Sequence, residues 1–108
     1  MIDLRRKSLE IISNVGSARS HYIEAIRHAK QKNFEKAYSS IKNGVEAFRK
    51  GHNIHSQLIF NEAADIDDNG FSLILVHAED QLMSAEGFKI IATEFVDLYK
   101  MLYENKVI

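Results

Sequence analysis

The chain contains no proline in 108 residues, although average usage predicts about five in a protein of this length. Proline is the residue that a helix interior tolerates least, because it lacks a backbone N–H and its ring clashes with the preceding turn. Its absence therefore favours long, uninterrupted helices. The length suits one hydrophobic core rather than two. We predict a single all-α domain over residues 1–108.

Hydrophobic periodicity divides the chain into three helical segments. Apolar and small residues recur at spacings of three and four over residues 4–29 and again over residues 34–59. Gly44 and Gly51 weaken the second segment, but the pattern continues through both. A turn composition at residues 65–70 precedes the third segment. We predict an antiparallel up-down-up bundle with helices over residues 4–32, 34–64 and 70–103.

The composition excludes several classes of protein. A formal net charge of -1 provides no electrostatic footprint for nucleic acid or anionic lipid. The lack of cysteine excludes disulfides, thiol nucleophiles and thiolate metal sites, and it suits a reducing cytoplasm. The longest apolar run, residues 73–76, is far shorter than the roughly 18 residues that a membrane helix needs. We expect a cytoplasmic protein, without membrane insertion, whose chemistry depends on His, Asp and Glu.

The turn at residues 65–70 partly imitates a calcium-binding loop. Asp65, Asp67, Asn69 and Gly70 match the acidic, amide and glycine positions of the EF-hand pattern. The last position of that pattern should be a bidentate glutamate, but the chain has Val76 there. We therefore interpret the segment as an Asx-rich turn rather than a calcium site.

The third helix has two apolar faces when it is projected at about 100° per residue. One face holds Phe71, Leu75, Ala78, Leu82, Ala85 and Val96. The opposite face holds Leu73, Val76, Met83, Gly87, Ile91 and Leu98, with Asp80 in its middle. A three-helix protomer buries only one face of each helix, so the second face indicates a partner, most simply further copies of the chain. We predict a homo-oligomer.

Asp80 is the anomaly on that second face. A carboxylate among apolar side chains is costly to bury unless it is paired, protonated or bound to a metal, and symmetry would bring several copies together. A divalent cation would resolve the conflict; a partly exposed Asp80 at the interface rim is the alternative. His77 lies one turn earlier on the flank of the same face. This position makes it the candidate nucleophile, although a lone histidine is more commonly a surface or core residue.

The other histidines are weaker candidates. His52 and His55 lie three residues apart and can face one way, but no third zinc ligand accompanies them. We interpret them as polar positions within the bundle seam. His21 and His28 have the pattern of surface residues.

Residues 72–85 have the sequence Ser-Leu-Ile-Leu-Val-His-Ala-Glu-Asp-Gln-Leu-Met-Ser-Ala. This run resembles the active-site helix of the lactose/cellobiose-specific enzyme IIA components of the bacterial phosphotransferase system (PTS). The likeness extends over nearly the whole chain through Ile11–Arg19, Asn33–Ala37, Gly51–His55 and Phe95–Lys100.

The resemblance implies a fold, an activity and partners. Family members are three-helix protomers that assemble into a homotrimeric nine-helix bundle. The histidine that matches His77 accepts a phosphoryl group from the phosphocarrier protein HPr and passes it to a cysteine of the IIB component. This transfer serves the uptake of disaccharides of the cellobiose, chitobiose or lactose type. The aspartate that matches Asp80 lies at the trimer axis, where three copies hold a divalent metal, which we expect to be Mg²⁺.

Two positions depart from the family pattern His-Ala-Gln-Asp-His, because this chain has Glu79 and Gln81 there. A carboxylate that faced a phosphorylated histidine would be unfavourable, but helical projection turns Glu79 away from His77, towards solvent along a polar seam with Glu86 and Asp97. The departures leave open a non-catalytic helical adaptor or regulatory bundle that has lost phosphoryl transfer. A dedicated metal-binding bundle is a third hypothesis.

Overall fold

The computed structural model describes the backbone of residues 4–64 and 72–108, and the side chains of residues 4–60 and 72–108. Three helices make up almost all of this part: α1 (Leu4–Lys30), α2 (Phe34–Ala64) and α3 (Leu73–Glu104). The prediction of an all-α, three-helix protomer is confirmed. Phe71, the predicted beginning of the third helix at residue 70 and the Asx-rich turn at residues 65–70 lie outside the described residues.

α1 ends at Lys30 rather than at residue 32, because the backbone enters the left-handed region at Lys32, where φ is 63°. The amide of Asn33 then donates to the carbonyl of His28 at 2.9 Å, which satisfies an acceptor left free by the helix end. The Asn33 carbonyl accepts from the amide of Ala37 at 3.0 Å, so α2 begins at once. This tight turn reverses the chain direction.

Two side-chain contacts fix the register of α2 against α3. Early in α2, the Tyr38 hydroxyl donates to Asp97 Oδ1 at 3.1 Å, near the end of α3. Farther along α2, His55 Nε2 lies 2.7 Å from Glu79 Oε2, near the beginning of α3. The two helices are therefore antiparallel. The pKa of the Tyr38 phenol is raised, mainly because the group is partly removed from water. The hydrogen bond to Asp97 and the negative charge of that residue raise it further.

The three helices form a rod with extents of 61 × 18 × 16 Å. The predicted seam of α1 is confirmed, because it is buried at Ser8, Ile11, Val15, Ala18, Tyr22, Ala25 and Ala29. The inner face of α3 is buried at Ala78, Leu82, Ala85, Ala92 and Val96. Alanine or serine occupies four of the seven buried positions of α1, and alanine occupies three of the five of α3, which lets the helix axes approach one another closely.

Gly44 and Gly51 are buried, and they bring α2 against α1. A Cβ atom on Gly44 would lie 2.7 Å from Cδ1 of Tyr22, and one on Gly51 would lie 2.9 Å from Cγ1 of Val15. Real Cβ atoms do not approach other heavy atoms that closely. Each glycine therefore lowers helix propensity but allows close packing, Gly44 against Tyr22, the largest fully buried side chain, and Gly51 against Val15.

Replacing Gly44 with alanine is expected to lower the free energy of unfolding by about 1–3 kcal/mol, because the new methyl group overpacks the Tyr22 ring. Urea unfolding followed by circular dichroism measures the change. Gly16→Ala is the matched control, since nothing lies within 4 Å of its Cβ position. That variant should gain up to about 1 kcal/mol from helix propensity. Equal stabilisation by the two substitutions would contradict the packing argument.

No helix in the described part of the chain has the length and apolarity needed to cross a membrane.

Candidate functional site

Ser72 sets the beginning of α3 and with it the position of the site. Its backbone is extended, with φ -117° and ψ 110°, and its hydroxyl accepts from the amide of Leu75 at 3.2 Å. This is an N-cap, which satisfies one of the amides that a helix leaves free at its first turn. The cap places His77 and Asp80 in the second turn and at the start of the third turn of a regular helix.

His77 and Asp80 are both exposed, one turn apart on the same side of α3. Within the part of the chain that the structure describes, neither side chain has a hydrogen bond or an ion pair. A neutral imidazole in this state keeps a ring nitrogen with an unshared electron pair free to react. The arrangement is therefore chemically competent for nucleophilic attack by His77 on a group that arrives from solvent.

The second apolar face of α3 is exposed in the single chain. Leu73 is 73% exposed, Met83 is 68% exposed and Leu98 is 44% exposed. Three further exposed apolar residues that the sequence projection missed, Ile90, Phe95 and Met101, widen this face. We call the whole set the outer stripe of α3: Leu73, Val76, Met83, Gly87, Ile90, Ile91, Phe95, Leu98 and Met101.

Part of the outer stripe is concave. Ile90, Ile91, Phe95 and Leu98 line a shallow depression together with Glu94. The stripe passes Asp80 between Val76 and Met83, so the carboxylate lies among exposed apolar side chains. Large exposed apolar surfaces on a soluble protein typically mark an interaction site.

Glu79 has a partner, contrary to the prediction that it extends into solvent. His55 Nε2 and Glu79 Oε2 are 2.7 Å apart, and the two side chains are 15% and 43% exposed. A carboxylate only accepts hydrogen bonds, so the proton of this bond is on His55 Nε2. The contact with His55 directs the Glu79 carboxylate towards α2. This orientation agrees with the prediction that Glu79 turns away from His77.

The remaining histidines do not gather around His77. The prediction that His52 lies within the bundle seam is wrong, because His52 is exposed; its ring stacks on Phe48 with centroids 6.1 Å apart and an interplanar angle of 12°. His21 and His28 are partly buried rather than fully exposed, and His28 Nε2 lies 3.8 Å from Glu24 Oε1. We therefore interpret His21, His28 and His52 as structural residues near the protein surface.

Within residues 4–60 and 72–108, no group of three or more His, Asp or Glu side chains could hold a metal ion. Asp80 alone supplies at most two oxygen ligands, whereas Mg²⁺ and Ca²⁺ take six or more. A metal at Asp80 therefore requires several copies of the chain, and the exposure of Asp80 on the outer stripe is compatible with that requirement.

Comparison with known proteins supplies the family. The model for "PTS system, Lactose/Cellobiose specific IIA subunit" matches residues 6–100. The lichenan-specific phosphotransferase enzyme IIA component of Bacillus subtilis is 35% identical over 97 residues, which cover 90% of this chain and 87% of that protein. The oligo-beta-mannoside-specific EIIA component of the same organism is 36% identical over 93 residues, covering 86% and 84% of the two chains.

Solved structures agree with this assignment. The PTS cellobiose-specific enzyme IIA from Bacillus anthracis superposes with a TM-score of 0.88 at 35% identity, covering 96% of this chain and 94% of that one. The IIA(chitobiose) component in a solution structure of its complex with HPr gives a TM-score of 0.83 at 28% identity, with 95% and 99% covered. The chain therefore belongs to the PTS lactose/cellobiose-specific IIA family.

Proposed function

We propose that this protein is the phosphoryl carrier of a sugar phosphotransferase system, which accepts phosphate from phospho-HPr on His77 and passes it to the cysteine of a cognate IIB component. The observation that carries the proposal is the exposed imidazole of His77, which has no hydrogen-bond or ion-pair partner among the described residues and lies beside an apolar surface on the helix that resembles the family's active-site helix. A related IIA component forms a complex with HPr, which supports HPr as the donor.

The chemistry is two successive displacements at phosphorus. In the first, the electron pair of His77 Nε2 attacks the phosphorus of phospho-HPr, an N–P bond forms, and the N–P bond to the donor imidazole breaks. In the second, a thiolate of IIB attacks the same phosphorus, an S–P bond forms, and His77 leaves as an imidazole. The chain has no cysteine, so this thiol belongs to the partner.

Both displacements require in-line positioning more than covalent help from the protein. An exposed nucleophile serves this need, because the donor and the acceptor must each reach the same nitrogen in turn. HPr and IIB would dock in turn against the apolar surface near His77 that the assembly leaves accessible.

The carrier is a homotrimer in this proposal, held together by the outer stripe of α3. The stripe extends from Leu73 to Met101, about 42 Å of helix at 1.5 Å per residue. Among the described residues, nothing lies within 4 Å of the Cβ position of Gly87 on the stripe, so a neighbouring helix can approach there. Three outer stripes around one axis would bury these side chains and complete a nine-helix bundle.

At the same axis, three copies of Asp80 would hold a divalent cation, which we propose to be Mg²⁺. Carboxylate oxygens are the ligands that Mg²⁺ prefers, and the metal usually keeps several waters. The ion would neutralise the carboxylates that assembly brings together. Its role is structural, and no step of phosphoryl transfer depends on it.

The contact between His55 and Glu79 weakens the alternative of a non-catalytic adaptor. That hypothesis depended on Glu79 and Gln81, because a carboxylate facing a phosphorylated histidine is unfavourable. With Glu79 directed towards α2, this objection to His77 as the phosphorylated residue loses its physical basis.

We assign the carrier to the cytoplasm and to the uptake of disaccharides of the cellobiose, chitobiose or lactose type.

Incubation of the purified protein with phosphoenolpyruvate, enzyme I and HPr is expected to attach about one phosphoryl group per chain. The label should be lost in acid and retained in alkali, as a phosphoramidate requires. Omission of HPr is the control and should prevent labelling. A folded, oligomeric protein that takes up no phosphate under these conditions would contradict the proposal and favour the adaptor.

A further inference from the structure

We propose that His55 is a positioning residue for phosphoryl transfer, because it holds the Glu79 carboxylate on the α2 side of α3 and away from the phosphoryl group on His77. The inference rests on the proposed function of His77 as the phosphorylated residue. It assigns to an α2 residue a part in the chemistry of a site on α3.

The contact has the geometry of a restraint. His55 Nε2 and Glu79 Oε2 are 2.7 Å apart, and the His55 side chain is only 15% exposed, so the imidazole is fixed by the packing around it. Glu79 is 43% exposed, which would leave its side chain free to change rotamer if the imidazole were absent. His55 therefore selects one orientation of a side chain that packing alone does not fix.

The orientation of Glu79 matters because of where it lies on α3. Glu79 follows His77 by two residues, so its backbone is within about 6 Å while its side chain projects to nearly the opposite side of the helix. A released carboxylate could swing to within about 10 Å of a phosphoryl group on His77. At that distance a carboxylate and a doubly charged phosphoryl group repel each other measurably near a protein surface.

No lysine or arginine side chain on this part of α3 offsets that repulsion. Residues 72–88 contain no lysine or arginine, and the first basic residue after His77 is Lys89. The donor hydrogen of His55 is thus the group that the described structure provides to hold and partly neutralise the Glu79 carboxylate.

The test measures the initial rate of phosphorylation by phospho-HPr for four proteins: wild type, His55→Ala, Glu79→Gln and the double variant. We expect His55→Ala to slow the reaction about fivefold at low ionic strength and less at high salt, because screening weakens the repulsion. The double variant should return to within about twofold of Glu79→Gln, since removal of the charge makes the restraint unnecessary. This rescue separates an electrostatic effect from a merely structural one.

His52→Ala is the matched control, because His52 is also a histidine of α2 but contacts Phe48 instead of a carboxylate. It should keep the wild-type rate, and urea unfolding should show all variants folded. A wild-type rate for His55→Ala overturns the inference, and so does a double variant as slow as His55→Ala. If the wild-type protein accepts no phosphoryl group, the proposed function fails and this inference fails with it. If the wild type is phosphorylated and the variants behave as just described, only the inference about His55 fails.

Discussion

Substitution of alanine for His77 is expected to reduce phosphorylation by phospho-HPr at least about 1000-fold, because it removes the atom that forms the new N–P bond. The exposed position of His77 means that little packing is lost, so the variant should retain its helical circular dichroism spectrum and its oligomeric state. Rapid-quench labelling with radioactive phosphoenolpyruvate measures the rate directly.

His52→Ala is the matched control for this substitution. His52 is likewise exposed and helical, but its ring stacks on Phe48 and has no place in the proposed transfer. Its labelling rate should equal that of the wild type. Undiminished labelling of His77→Ala would show that the phosphoryl group resides elsewhere.

A glutamate in place of Leu98 is expected to separate the assembly into monomers at micromolar concentration. Leu98 lies on the outer stripe of α3 at the same angular position as Asp80, since the two are 18 residues, or five turns, apart. In the proposed trimer the substitution would bury several unpaired carboxylates near the axis, which costs several kcal/mol. Sedimentation velocity measures the oligomeric state, and circular dichroism checks that the protomer remains helical.

Leu9→Glu provides the matched control, because Leu9 is 48% exposed and Leu98 is 44% exposed. The same charge on α1, away from the outer stripe, should leave the oligomer intact. Asp80→Leu should also leave it intact, because apolar side chains can replace a buried charged cluster without loss of stability. Monomeric Asp80→Leu would show instead that the metal is required for assembly, and oligomeric Leu98→Glu would place the interface elsewhere.

The fold could be predicted from the sequence because the determinants of helices are local. The absence of proline permits long helices, and the spacing of small and apolar residues identified the seam of α1 that is buried in the structure. The structure adds the exact helix ends, because Ser72 caps the beginning of α3 and the left-handed backbone at Lys32 follows the end of α1. A left-handed lysine could not be anticipated, because that conformation favours glycine or asparagine and here depends on the closure of the turn.

The contacts between helices could not be predicted, because periodicity gives the face of a helix but not its register against a neighbour. Gly44 looked like a weakness in α2 until Tyr22 was found against it. The pairing of His55 with Glu79 depends on the same missing information, since 24 residues separate them in sequence. Once Tyr38 and Asp97 align α2 with α3, the antiparallel register brings His55 opposite Glu79.

The candidate site could likewise be predicted only in part. The exposure of His77 and Asp80 on one side of α3 follows from helical projection, and the structure agrees with it. Their roles follow from the family resemblance, and the metal and the trimer stay predictions, because a single chain contains only one copy of Asp80.

In the proposed mechanism the phosphoryl group resides on a ring nitrogen of His77. Nuclear magnetic resonance of the phosphorylated protein, with ¹⁵N-labelled histidine and ³¹P detection, identifies the nitrogen that carries it. We predict one phosphorus coupled to Nε2 of His77, with the resonances of His21, His28, His52 and His55 uncoupled. A phosphorus coupled to any of those four histidines, or to no histidine nitrogen, would contradict the account.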